Sequence, residues 1–267
     1  MASPSLTRSN TEAAGEIRIT SAGHAAFAIT MITLGVITLV THELTAIWMP
    51  VPKWAASAHP FFVYLWALLS LAAGVALVWR RSALLAAQLL FALSLFWLVL
   101  FRFPNLFYEK PLVLVGWAFG KTAIMVAAAW VLCLRFASDR DPSFVFDEKR
   151  LRFPRALYGL SLIPFGLAHF MYLSATTVLI PNWLPAHDAL AYATGAAFIA
   201  AGLATMSGML GRWAAVLSTL QFALFGVIVW VPRMIAGTVN DFQRGEFIVT
   251  FVLMAAAWVV ADSYSPP

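Results

Sequence analysis

His169 lies inside an apolar run of this 267-residue chain and is followed by Pro181-Asn182-Trp183-Leu184-Pro185 and then by His187-Asp188. Together with Tyr172 and Tyr192 these residues supply imidazoles that titrate near neutrality, phenol and indole donors, and aromatic faces. That set suits a ring-bearing lipid whose oxygens need hydrogen bonds and whose chemistry needs a proton-exchanging group. A comparable group occurs earlier, at His42, Glu43 and His59. The competing structural role is strong, because proline ends helices and tryptophan anchors them at the membrane interface, so Trp54, Trp183, Pro181 and Pro185 also read as helix punctuation.

Lys121 is the second kind of chemical candidate. It sits about ten residues into its own apolar run, roughly 15 Å along a helix, too deep for its ammonium to reach water easily. A charge at that depth costs at least about 2.5–3.5 kcal/mol and so demands a partner. Glu43 is the expected counter-ion, with Glu109 as the second choice. Such a pair serves equally well to fix helix packing or to form part of a site.

Other chemistries find less support. Bis-histidine haem needs two imidazoles at one depth, and His24 and His42 share a helix face but stand about 27 Å apart along it. His42, Glu43 and His59 lack tight zinc-ligand spacing, and no metal site is expected. The single cysteine, Cys133, provides neither a disulfide nor a CxxC exchange centre. With no self-contained catalytic motif, a redox role requires a partner that brings the electron donor.

The elements that must position these residues are membrane helices. Hydrophobic residues make up 62% of the chain and charged residues 11%, with a mean hydropathy of +0.84, far from a soluble domain. Eight apolar stretches are long enough to cross a bilayer, near 24–47, 60–79, 83–103, 111–135, 156–180, 187–209, 212–231 and 246–262. Their continuity excludes the alternation of barrel strands. Residues 1–20 are polar and do not resemble a cleaved signal. Arg80, Arg81, Arg135, Arg140 and the basic run 149–155 fall on one side, which the positive-inside rule assigns to the cytoplasm with both termini. This asymmetry accounts for the net charge of +5 without nucleic acid as a partner. The lipid bilayer is the partner that composition demands.

Laid on itself at an offset of 128, the chain aligns His59 with His187, Tyr64 with Tyr192, Ala72-Ala73-Gly74 with Ala200-Ala201-Gly202, Pro104 with Pro232, and the Ala-Ala-Ala-Trp-Val of 127–131 with that of 255–259. Upstream, an offset of 131 aligns Gly35 with Gly166 and Pro50 with Pro181. The expected organisation is an all-α polytopic bundle of about eight transmembrane helices in two parallel four-helix repeats. Four spans per copy is an even number, so both copies face the same way. The boundaries are an N-terminal tail at 1–23, a first repeat at 24–135, a charged cytoplasmic linker at 136–155, a second repeat at 156–262 and a short tail at 263–267.

The second copy carries Gly166, His169-Phe170, Pro181, Trp183-Leu184-Pro185, Gly195, Gly202, Arg212 and Val231-Pro232, and so resembles the DoxX-like family of four-helix bacterial membrane proteins. The first copy resembles it less, having Thr38 at the His169 position and no full Trp-Leu-Pro. The resemblance implies an inner-membrane protein linked to redox partners, since the family includes subunits of thiosulfate:quinone oxidoreductase. The function expected on that basis is a quinone- or lipid-linked accessory subunit of a membrane redox system, with isoprenoid quinone as the cofactor and a membrane or periplasmic oxidoreductase as the partner. The alternatives are a scaffold or chaperone for such a partner and, third, a small-solute transporter.

Overall fold

The computed structural model describes residues 17–48, 57–140 and 147–265. Among them eight long helices follow one another: α1 (Ala22–Thr41), α2 (His59–Leu77), α3 (Ala83–Trp97), α4 (Leu112–Arg140), α5 (Glu148–Met171), α6 (His187–Ser207), α7 (Gly211–Leu224) and α8 (Asp241–Asp262). Four of them begin where the sequence offers a reason. Ser21 caps α1 by accepting the His24 N–H, and Asp147 caps α5 by accepting the Arg150 N–H. Pro60 occupies the first turn of α2, where its missing N–H costs nothing. Asn240 and Gln243 form a reciprocal capping box at the start of α8.

α3 and α7 share an irregularity. Each passes into a π-helical segment, Leu98–Arg102 and Phe225–Trp230, just before a proline, Pro104 or Pro232. A proline inside a helix supplies no N–H and crowds the carbonyl four residues earlier. Here those carbonyls belong to Leu100 and Ile228, and widening the helix at that turn relieves the clash.

The helices pack as a closed ring in chain order, α8 closing on α1, and α4 also meets α8 across the middle. Short connections make successive helices antiparallel. Both described termini therefore lie at one end of the bundle, the proximal end, where the Gly23 N–H donates to Asp262. Two helix crossings use the same contacts. A side chain on Gly35 would strike the Ala67 carbonyl and Leu71, and one on Gly74 would strike Ile32 and the Ala28 carbonyl. On α5 and α6, a side chain on Gly166 would strike the Gly195 carbonyl and Ile199, and one on Gly202 would strike Ile163 and the Gly159 carbonyl. Small residues at these points let the backbones touch, the usual means of helix association where lipid provides no hydrophobic drive.

Seven helices, with α3 and α7 counted together with their extensions, are long and apolar enough to cross a membrane. The protein is an all-α polytopic bundle. α5 falls outside that set because its first two turns carry Glu148, Lys149, Arg150, Arg152 and Arg155. It ends at Met171, where Tyr172 leaves the helical region, rather than running through the expected 156–180. α1 likewise stops at Thr41, short of the expected 47, because His42 turns into the left-handed region. Helix occupies both ends of the segment expected as a linker at 136–155, and residues 141–146 lie outside the described residues. Trp54, together with Pro50, Pro52 and Lys53, also lies outside them.

Candidate functional site

His169 stands in the last turn of α5, at the distal end of the bundle. Its Nδ1 donates to the Phe165 carbonyl at 2.8 Å. A carbonyl can only accept, so the neutral ring carries its proton on Nδ1 and presents Nε2 as an acceptor. Nε2 has no hydrogen-bond partner among the described residues. The imidazole lies nearly parallel to Phe225, with ring centres 5.9 Å apart, and leans on Phe198 at 5.5 Å. Beneath them Phe165, Phe198 and Phe222 form a buried aromatic layer. On one side the Gln221 amide donates to the Thr194 carbonyl at 3.0 Å. His169 is half-buried, so the imidazole reaches the surface at the edge of this aromatic cluster.

The other residues expected beside His169 do not gather there. Tyr192 is exposed and packs on Phe170, Trp183 is 70% exposed, and Tyr172 is half-buried at the helix break. His187 opens α6 and is half-buried. Among the described residues no hydrogen bond or ring contact joins any of these four to His169. Between Met171 and the Pro-Asn-Trp-Leu-Pro segment lies a short helix, Leu173–Thr177, and Val178 and Trp183 are exposed. The earlier group splits into two surface pairs: the Tyr64 hydroxyl meets His42 Nδ1 at 3.3 Å, and His59 Nε2 lies 3.9 Å from Glu43. Solvated pairs of this kind contribute little. Among the described residues no three His, Cys, Asp or Glu side chains come together around a possible metal ion.

The buried charges differ from expectation. Lys121 pairs with Glu246 of α8 at 2.5 Å, and both side chains are less than a tenth exposed. The ammonium also lies 3.5 Å from the centre of the Trp117 ring. Glu43 cannot serve as the counter-ion, because it lies beyond the end of α1 and is 69% exposed. Glu109 is exposed in the turn before α4 and is not a buried charge. Arg102 also lies inside the bundle and donates to the Ile47 carbonyl at 2.8 Å. The segment Leu44–Trp48, expected up to residue 47 as the end of the first span, instead folds into the distal mouth of the bundle, where Trp48 packs against Trp66 and Trp97. A charge in an apolar run just ahead of a proline was the only sequence sign of Arg102's burial; Trp48 gave none.

At the proximal end, buried Arg155 ties α5 to the end of α8. Its Nε donates to the Ser263 hydroxyl at 3.0 Å, another nitrogen reaches the Ser263 carbonyl, and its guanidinium lies over the Tyr264 ring at 3.7 Å. Burial pushes the Tyr264 phenol up from its usual value, Arg155 opposes the shift, and Glu148 adds to it. A shallow notch lies nearby, lined by Arg18, Arg80, Arg140, Asp139 and Phe136. It is far from His169 and contains no proton-exchanging histidine. The distal cluster around His169 therefore remains the candidate site, because it joins aromatic rings to an unpartnered imidazole nitrogen. Comparison with protein-family models, with curated proteins and with solved structures finds no match for this chain.

Proposed function

We propose that this chain is a DoxX-like protein of the bacterial inner membrane, with eight spans in two four-helix repeats and both termini in the cytoplasm, and that it serves a membrane redox system as a quinone- or lipid-linked accessory subunit. The observation that carries this reading is His169: a half-buried imidazole on an aromatic floor, with Nδ1 committed to its own helix and Nε2 unpartnered. A structural histidine in a membrane interior normally uses both nitrogens. His24 does so, bonding Thr20 through Nδ1 and the Leu77 carbonyl through Nε2. The recurrence of the glycine contacts and of the π segments at the repeat offsets supports the two-copy organisation. The chain carries no electron carrier of its own in this reading, and the donor is a partner oxidoreductase.

The test is the isoprenoid quinone that co-purifies in mild detergent, measured per chain for wild type and for His169→Ala. Retention near one per chain, lost in the variant at unchanged folded yield, supports the reading. Absence of quinone from the wild type rejects it. A scaffold role is the second reading, favoured by the central charges being spent on each other in the Lys121–Glu246 pair. In that case an oxidoreductase partner is captured equally well with His169 substituted.

A further inference from the structure

The two halves of the bundle fill their distal mouths differently. In the first half an aromatic layer closes the mouth: Trp48, Phe62, Trp66, Trp97 and Phe101, with neighbouring rings 4.4–6.4 Å apart. At the repeat offsets their counterparts are Leu179, Leu190, Thr194, Phe225 and Val229. Four of the five first-half residues are buried, whereas all five counterparts are half-exposed. One helical turn deeper the order reverses, since buried Ser70 and Ser94 face the counterparts Phe198 and Phe222, also buried. The aromatic bulk of the second half has thus moved inward by about one turn, 5.4 Å, leaving its mouth lined by smaller side chains. At the edge of that mouth His169 replaces Thr38, which is 2% exposed.

Resting on the reading given above, we propose that the second-half mouth is a slot for a flat, lipid-soluble ring of about indole size, held in its reduced dihydroxy form, and that the first half lacks such a slot because Trp48 and Trp66 fill it. The first half supplies the shape of the occupant, since indoles take the corresponding space there. The half-exposed ring of Phe225, beside the imidazole, supplies an aromatic wall for it. Oxidation state follows from the hydrogen bonds. Nδ1–H is committed to the Phe165 carbonyl, so Nε2 of the neutral ring can only accept. A ring hydroxyl donates to it, whereas a ring carbonyl would face it acceptor to acceptor. An apolar tail leaves the mouth sideways into lipid, along the exposed faces of α6 and α7.

The test is the rate at which diethyl pyrocarbonate modifies His169, read by peptide mass spectrometry on the full chain in detergent. The probe is 2,3-dimethylnaphthalene-1,4-diol, kept reduced under argon, with the matching dione for comparison. At a diol concentration about ten times its Kd, mass action lowers the wild-type rate about tenfold. Loss of one hydrogen bond raises the dione concentration needed for the same protection by about tenfold. Leu179→Trp and Thr194→Trp, which restore first-half bulk at half-exposed positions, slow modification without any probe and abolish the further protection. No protection by the diol, equal protection by diol and dione, or unchanged rates in both tryptophan variants at normal folded yield would each overturn the proposal. Protection of the wild type by the diol in a protein that purifies without quinone would support the slot while rejecting the quinone-subunit reading.

Discussion

Lys121→Met should destabilise the protein far more than Lys121→Met combined with Glu246→Met. The two charged groups meet at 2.5 Å with side chains only 4% and 7% exposed, so removing one leaves the other charged in a place water does not reach. Breaking a buried pair on one side costs about 3–5 kcal/mol, whereas replacing both partners with apolar residues of similar volume is often neutral or favourable. The ring of Trp117, 3.5 Å from the ammonium, adds a cation–π contribution of about 2 kcal/mol in a desolvated setting. The single variant should therefore shift the unfolding equilibrium by roughly two to four decades. The double variant should recover most of that loss, and Glu246→Met should resemble Lys121→Met. Reversible unfolding in mixed micelles across the four proteins of this double-mutant cycle gives the coupling directly. Losses that simply add, with no coupling, would refute the claim that the two groups neutralise each other inside the bundle.

Three further outcomes follow from other parts of the fold. Arg155→Met removes two charge-assisted hydrogen bonds to Ser263 at about 1.5–3 kcal/mol each, and amide exchange in the last turn of α8 should rise while that in α6 stays unchanged. Gly202→Ala places a methyl group 2.6 Å from the Gly159 carbonyl oxygen, so Tm in detergent should fall well beyond the effect of Gly208→Ala, which meets open space and costs about 1–2 kcal/mol through its positive φ. The raised Tyr264 phenol makes the folded state bind more protons than the unfolded state once pH exceeds the usual tyrosine value of 10.0. Stability is therefore unaffected by this group below that value and declines above it. Tyr264→Phe should remove that part of the alkaline loss in denaturation measured across the same range, and an unchanged slope would contradict the assignment.

Residue order revealed the class of fold because it depends on runs of apolar side chains, and the residues recurring at a fixed offset are what the proposed two-copy organisation is argued from. The recurrence places Gly35 on Gly166 and Gly74 on Gly202, which are the pairs at which helices touch. Depth and partnership have no such signature. Glu43 lies inside the first expected span and Glu246 at the first residue of the last, yet it is Glu246 that meets Lys121, because the closed ring brings α4 against α8 across the middle. Trp48 carries no sequence sign of its burial. It becomes a core residue only because His42 turns the backbone left-handed and folds the following segment inward. The corresponding stretch after Met171 leaves Leu179 half-exposed where Trp48 is buried, and Thr194 stands where Trp66 helps close the first mouth, so the second mouth keeps His169 with an open nitrogen. A comparison of the two copies residue by residue identifies the larger-to-smaller exchanges at Trp48, Phe62, Trp66 and Phe101. It takes the helix geometry to establish that they all lie in one layer, and that the counterpart layer of the other half includes Phe225, against which the imidazole stacks.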